Sequence, residues 1–436
     1  MTSQGLAAFV LLWGIWVLVP VLVDMTKALR LLGFSLLRRP GPGAAALGTG
    51  HLPPVSVLIP CHNAAPVLEG CITSLAAQTY PLDRVEVLVV DNASTDGTAR
   101  VFHRVHAGLP RLRAQVVVTS RPGKAMALNT ALQVTDDRYV CNIDADVELQ
   151  PGALRAMVEA FERDPSLAAA TGAVVVARPG QPPRGRFLRF LQACERLEYL
   201  VAFRIGRHYE DATNTLFTLA GAFSFFRRDI LLQTFLYKGD TVSEDTELTF
   251  DVRAQVVARG MRIGCVPDAV ALTHPIPGLG SLYAQRARWQ RGEIEVAALQ
   301  PEFRRPGAGL GGRGFLARAL LVDHTLAFPR IVWTFLLPAM YWLGYPLQVV
   351  VLATVGMYAV YLVADFAFVA AVWINLRPTD RETVRADLWA VALLPAFRFL
   401  TYWFRIGGML SGLVDDARWR VEDPVSQLRR RLRARG

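Results

Sequence analysis

No two cysteines stand close enough to form a C-x-x-C pair: Cys61, Cys71, Cys141, Cys194 and Cys265 are scattered singly. That spacing offers neither a zinc site nor a disulfide framework, and it suits a reducing, cytosol-facing domain. Charge is scarce as well. Asp, Glu, Lys and Arg make up 19% of 436 residues, against 52% hydrophobic. That is too apolar for an ordinary soluble enzyme of this length and points to membrane segments. Acidic residues are the scarcer kind, leaving a net charge of +10. Nucleic acid, anionic lipid and phosphorylated substrates all attract such a chain. Here Lys and Arg gather beside apolar segments and at the C-terminus, which favours lipid headgroups over nucleic acid.

The opening residues, Met1-Thr2-Ser3-Gln4-Gly5, carry no basic side chain, and no small-residue cleavage site follows promptly. The apolar run from Leu6 to Val23 therefore reads as a transmembrane anchor (residues 1–25) rather than a signal peptide. Lys27, Arg30, Arg38 and Arg39 behind it put the exit on the cytoplasmic side. Residues 26–53 read as a linker, Gly/Pro/Ala-rich from Pro40 to Gly50. Beyond residue 300 two candidate spans run near Leu320 to Leu343 and Leu347 to Trp373. A third apolar stretch, near Leu388 to Leu413, carries Arg398, Arg405 and Gly407-Gly408; it either spans or lies in the interface. The expectation is a membrane region over 301–415 with two or three spans, then a basic tail over 416–436. The tail stays inside if the third stretch does not cross.

Between these segments, over 54–300, short apolar runs alternate with helical patterns. Strands are expected at Val55 to Ile59, Val85 to Val90, Gln115 to Val118 and Tyr139 to Ile143. Helices are expected near Pro66 to Gln78, after Asp96 and from Gly123. Such alternation means an α/β domain with a mostly parallel sheet covered on both faces. Ligands of these sheets bind beyond the carboxyl ends of the strands. Polar clusters stand at those ends: Cys61-His62-Asn63, Asp91-Asn92-Ala93-Ser94-Thr95-Asp96-Gly97 and Asp144-Ala145-Asp146.

Each cluster has a chemical and a plain structural reading. Asp144 and Asp146, at i and i+2, can hold a hard cation such as Mg2+ or Mn2+ and through it a diphosphate, or simply shape an Asx turn. Asp91 can accept hydrogen bonds from a base or ribose, or serve a turn; Asp96 reads as a helix cap. Lys124, where a helix begins, suits a phosphate, or is a solvated surface Lys. Ser243-Glu244-Asp245 opens an amphipathic helix. Asp245 there is a candidate general base, and acidic first-turn residues also suit the helix dipole. Gln285, Arg288 and Trp289 share one helix face by their i, i+3, i+4 spacing. They can grip a diphosphate and a sugar ring, or anchor an interfacial helix.

Taken in order, these pieces resemble the membrane-integrated, inverting family 2 glycosyltransferases with a GT-A catalytic domain, among them cellulose, hyaluronan and poly-N-acetylglucosamine synthases. Their pattern of a first Asp, D-x-D, (E/T)-D and Q-x-x-R-W is matched by Asp91, Asp144-Ala145-Asp146, Glu244-Asp245 and Gln285-Arg286-Ala287-Arg288-Trp289, over about residues 54 to 295. The resemblance implies a GT-A-like, Rossmann-type nucleotide-sugar domain inserted between transmembrane helices of a multi-pass cell-membrane protein. It implies transfer from a UDP-sugar to the growing end of a β-linked polysaccharide. Pro60, His62, Asn63, Asp91, Lys124, Asp144 and Asp146 would bind the donor, with Asp146 on Mg2+ or Mn2+. Asp245 would be the base, and Glu244, Gln285, Arg288 and Trp289 would hold the diphosphate and a glycan or lipid-linked acceptor. Gly221 to Arg227 resembles the strand lining the acceptor path. An accessory membrane or export subunit fits such a system. One departure stands out: the family's P-x-Y-N-E-like run reads Pro60-Cys61-His62-Asn63-Ala64 here, without its acid. Single transfer to a lipid or other acceptor, and a non-catalytic membrane scaffold retaining the fold, are the competing readings.

Overall fold

The computed structural model describes residues 21–37, 52–120, 123–180, 183–234, 236–238, 241–299, 335–336, 339–376 and 378–414. Most of the expected N-terminal anchor, most of the span near Leu320 and all of the basic tail lie outside the described residues.

Chain order runs α1 (21–37), β1 (Val55–Cys61), α2 (Leu68–Ala76), β2 (Val85–Asn92), α3 (Thr98–Ala107), β3 (Arg113–Thr119), α4 (Lys124–Gln133), β4 (Tyr139–Ile143), β5 (Val147–Leu149), α5 (Ala153–Arg163) and β6 (Leu167–Val176). It continues through α6 (Arg186–Tyr199), a π-helical turn (Leu200–Gly206), α7 (Arg207–Ala212), β7 (Phe223–Arg227), α8 (Arg228–Leu231), α9 (Glu244–Ala258), β8 (Arg262–Thr273) and α10 (Leu279–Leu299). The C-terminal part contains α11 (Leu347–Asn375), α12 (Pro378–Asp387), a 3-10 segment (Leu388–Leu393) and α13 (Leu394–Val414).

The four strands read from the sequence are all present. The eight strands make one sheet in the order β3-β2-β1-β4-β7-β6-β8-β5. β3, β2, β1 and β4 run parallel, as expected of continuous apolar strands separated by helices. The other half keeps the sheet mostly parallel, as expected, since β6 and β8 run in the direction of β4, but it inserts two reversed strands. β7 is antiparallel to both β4 and β6, and β5 is antiparallel to β8. A strand's direction follows from the edge at which the chain re-enters the sheet, which local periodicity does not encode.

Both faces are covered. On one, Leu68 and Ile72 of α2, Phe102 of α3 and Phe161 of α5 pack against Val57, Val87 and Cys141. On the other, Ala127, Leu128 and Ala131 of α4 and Leu248 and Val252 of α9 pack against Leu58, Leu88 and Val140. Alternate residues of one strand thus feed opposite layers.

The C-terminal part belongs to the same body. Leu191 and Cys194 of α6, Phe368 and Val372 of α11 and Phe397 of α13 share a third core. Two ion contacts seal it. Asp387 accepts from Arg196 Nε at 2.6 Å and Nη2 at 2.9 Å, and buried Asp365 pairs with Arg398. The expected linker over 26–53 is corrected in its first part: the chain is helical over 21–37, because Ala28 and Leu31 bury in this core and Phe34 meets His208 and Tyr209 edge-on.

Among the described residues one helix, α11, is long and apolar enough to cross a membrane. At ~1.5 Å per residue, its 29 residues reach about 43 Å. Its buried side chains begin at Ala364, so the half before them carries exposed Leu347, Leu352 and Val355. The stretch from Leu388 forms the 3-10 segment and α13, with Phe399, Trp403 and Leu410 exposed. Its larger part, α13, packs along α10, and Gly408 allows this: a Cβ there would run into the backbone of Ala287.

Candidate active site

The polar clusters meet where β1, β2 and β4 end. Register pairs Cys61 with Asp91 across β1 and β2, so the following loops lie side by side. Asn63, at φ 53°, accepts the Thr95 N–H on Oδ1 at 2.8 Å and donates its own N–H to Ser94 Oγ at 3.0 Å. His62 is exposed and its Nδ1 donates to the Asn92 carbonyl at 2.7 Å, which fixes the ring plane. Asp91 is buried and spends one oxygen on the Ser94 N–H at 3.0 Å. Asp96 takes the Thr98 N–H at 3.0 Å from one residue ahead of the helix cap expected of it, a position held by Gly97. Asn92, which sequence reasoning passed over, bridges to the next element: its Oδ1 accepts from Thr119 Oγ1 at 3.2 Å and from the Gly123 N–H at 3.1 Å. The Asp-Asn pair closing an apolar strand was the available signal.

Gly123, at φ 150°, starts α4, and Lys124 is the helix's first residue. Lys124 is neither solvated nor idle. Its Nζ lies 2.8 Å from Asp144 Oδ1 and 2.9 Å from Glu244 Oε1, with the side chain 17% exposed. Burial alone would lower the Lys124 pKa, but Asp144, Glu244 and Asp245 more than reverse this and hold the ammonium charged. One cation therefore joins the D-x-D turn to the start of α9, 100 and more residues further along the chain.

Asp245 stands beside this pair. One of its oxygens accepts the Gly221 N–H at 2.8 Å and the other the Thr246 N–H at 2.8 Å. Burial pushes its carboxyl above the usual range and Glu244 adds to this, while Lys124 and the two N–H groups pull the other way. Burial also raises Asp144, and Asp146 adds to it against the opposing Lys124. Glu244 ends up lowered. Burial works to raise it, but Lys124 and, more weakly, Arg288 prevail. The site thus holds one lowered and two raised carboxyls around a fixed ammonium.

The helix α10 packs against the start of α9. Gln285 Nε2 donates to Tyr199 OH at 3.0 Å. Arg286, at the motif's first variable position, is buried. It donates to Glu198 Oε2 at 2.6 Å, with its guanidinium 4.5 Å from the Trp289 ring centre. Trp289 also meets Phe203 edge-on and packs against the core. Trp289 is therefore braced by its own motif. Arg288 is half-buried, and its charge reaches Glu244. α6 grips the segment leading into α10: Gln192 donates to the Ile276 carbonyl at 2.8 Å and Glu195 accepts its N–H at 3.0 Å. Burial drives the Glu195 carboxyl up to about 7.

Two glycines let α10 come this close. A Cβ on Gly292 would strike Ser243, just ahead of Glu244, and one on Gly408 would strike Ala287. Gly408→Leu is expected to shift α10 and cut turnover on the order of 100-fold, since a misplacement of about 1 Å at a reacting group has that effect. A turnover assay on detergent-solubilised protein reads this, and wild-type turnover would show that the contact has no bearing on the site.

Among the described residues no three His, Cys, Asp or Glu side chains gather to hold a metal by themselves. Asp146 is exposed two residues past Asp144, whose own oxygen is drawn to Lys124. A single carboxylate, completed by substrate phosphate and water, is a donor set that Mg2+ or Mn2+ accepts, and Asp146 fits it.

Residues 56–235 match the family Glycosyl transferase family 2. Curated relatives include poly-beta-1,6-N-acetyl-D-glucosamine synthases. That of Staphylococcus aureus (strain COL) is 25% identical over 281 residues, covering 64% of this chain and 62% of the relative. That of Staphylococcus epidermidis is 25% identical over 247 residues, covering 56% and 55%. The match thus spans less than two thirds of those relatives' own length. A solved mannosyltransferase from Pyrobaculum calidifontis, in complex with GDP-Man and Mn2+, superposes with a TM-score of 0.61 at 22% identity, covering 94% of this chain and 99% of that one. At that identity the likeness concerns the fold, a mixed α/β architecture of the GT-A kind.

Proposed function

We propose, from the premise that this chain is a glycosyltransferase with a family 2 catalytic domain, that it extends a β-linked polysaccharide at the membrane, taking sugar from a UDP-sugar. The observation that carries this reading is the convergence of Lys124, Asp144, Glu244 and Asp245 at the strand ends beneath the α10 helix. The relatives' name makes UDP-N-acetylglucosamine the first donor to try.

In this mechanism the donor's base and ribose lie over Pro60, His62, Asn63 and Asp91, and the diphosphate reaches Lys124 at the start of α4, where helix polarity favours an anion. The acceptor hydroxyl comes from the α10 side, past Gln285 and Trp289. Asp245 removes its proton as its oxygen attacks the anomeric carbon; the bond to the diphosphate breaks, and the configuration inverts. Lys124 and Arg288 oppose the charge that develops on the leaving diphosphate. Asp146 would hold Mg2+ or Mn2+, which supplies Lewis acidity and charge neutralisation at the diphosphate. Exposed apolar side chains on α11 and the flanking Trp342 and Leu343 support a bilayer as the protein's surroundings. A multi-pass cell-membrane location with a cytoplasmic catalytic domain completes the reading.

The test is UDP release from a panel of UDP- and GDP-sugars by the full chain in nanodiscs, followed by product mass. UDP-sugar-dependent polymer is expected, and excess EDTA should suppress turnover at least tenfold, with recovery on adding Mn2+ or Mg2+. Release from GDP-mannose alone would overturn the donor assignment. A product of one added sugar would replace polymer synthesis by single transfer.

A further inference from the structure

Asn142 is the odd residue of β4. The strand Tyr-Val-Cys-Asn-Ile is otherwise apolar or weakly polar, and Asn142 is 1% exposed in its interior. Its neighbours on the same face, Val140 included, belong to the core beneath α4. The amide is only half satisfied. Nδ2 donates to the Gly221 carbonyl at 3.1 Å, while Oδ1 is buried and has no hydrogen-bond partner. A buried polar group kept on such terms calls for an explanation.

Gly221 supplies one. A Cβ there would sit 3.0 Å from Asp245 Oδ2 and 3.1 Å from Lys124 Nζ, so any side chain would press on both. Glycine is also the residue whose backbone turns most freely, and this one donates its N–H to Asp245 Oδ2. The preceding segment is pinned by threonines: Leu219 N–H on Thr249 Oγ1 at 2.9 Å and Ala220 N–H on Thr171 Oγ1 at 3.2 Å. At Gly221 itself the side chain holding the carbonyl is that of Asn142, from the strand that leads into Asp144.

We propose that Asn142 is a positioning residue for the transfer step: by fixing the Gly221 carbonyl it holds the Gly221 N–H on Asp245 and so aims the carboxylate at the acceptor hydroxyl. The inference rests on the reading of Asp245 as the base. It is specific to proton removal. The side chain of Asn142 donates to the Gly221 carbonyl and to no donor-binding side chain, so donor binding should change little.

The test is a double-mutant cycle on the full chain in nanodiscs, using the nucleotide-sugar that turns over in the donor screen. Asn142→Leu keeps the volume and removes the amide. It is expected to lower kcat on the order of 10- to 100-fold with the donor KM within about twofold of wild type, which also shows that the site is folded. Asn142→Ala, which adds no bulk, should behave alike and serves if the Leu chain does not fold. In an Asp245→Asn background, Asn142→Leu should cost nothing further, because the group it aims is gone. An equal loss in both backgrounds, an unchanged kcat, or a loss carried by KM each overturns the proposal. Wild-type turnover from Asp245→Asn alone would instead overturn the base assignment, and the two failures are told apart by that single variant.

Discussion

Asp245→Asn is expected to reduce sugar transfer on the order of 100- to 10,000-fold while leaving nucleotide-sugar binding nearly intact. The amide keeps the shape of the carboxylate but cannot take a proton, and a positioned general base contributes about 10²- to 10⁴-fold. The environment of Asp245 suits that task. A free Asp has a pKa of about 3.9 and is a weak base; burial and Glu244 raise this one, and Lys124 prevents it from rising unchecked. Two N–H groups, from Gly221 and Thr246, fix both oxygens at 2.8 Å. In the Asn variant one of those donors faces an NH2 group, so some loss of stability on the order of 1–3 kcal/mol accompanies the change. A donor-binding measurement separates that loss from loss of chemistry. The sign of the pH dependence follows from the raised pKa. The protonated acid is inactive as a base, so kcat should fall as pH drops through a value above that of free Asp. A folded Asp245→Asn enzyme that turns over at the wild-type rate would sink the assignment.

Lys124→Met should be the most damaging change for the integrity of the site. The ammonium is shared by Asp144 at 2.8 Å and Glu244 at 2.9 Å, and Glu244 is buried. Removing the cation leaves carboxylates facing one another in a poorly solvated space. Breaking a buried pair by deleting one partner typically costs about 3–5 kcal/mol, and the one-third exposure of Asp144 puts the expected loss toward the lower end. Donor KM should rise at least tenfold, since the diphosphate loses its counter-charge. The field of Lys124 lowers the pKa of Asp144, Glu244 and Asp245, so its removal raises all three. The acid limb of any residual activity should move to higher pH. Thermal unfolding with and without donor, together with a pH profile of kcat, checks both parts. Unchanged donor KM with unchanged acid limb would mean that Lys124 is a structural bridge alone.

The polar strand ends were legible because they are local. Val85 to Val90 is an uninterrupted β-branched run apart from Glu86 and Leu88, and the Asp-Asn that ends it has no place in a core. Tyr139 to Ile143 was readable in full, and so was the start of a helix at Lys124. Asp96 and Ser243-Glu244-Asp245 were legible as polar residues at helix starts, the latter as an acidic first turn. The membrane reading of residues 347–373 rests on composition, which folding does not alter.

What escaped the sequence depends on encounters between distant segments. Nothing around Lys124 announces that Glu244, 120 residues on, will lie 2.9 Å away. Trp289 reads equally as a sugar platform or an interfacial anchor, and the packing around it comes from Phe203 and Arg286. In the sequence the pair Gly407-Gly408 is only part of an apolar stretch, whereas Gly408 is what admits the backbone of Ala287. The sequence by itself determined the element types and the chemistry available at strand ends, because hydrophobic periodicity and capping act over a few residues. The tertiary structure alone decided which carboxylates share a cation, which way β7 and β5 run, and how near α10 comes to the start of α9. Hydrogen bonds, ion pairs and steric contacts act over a few ångströms, and only the folded chain determines which residues come within that range.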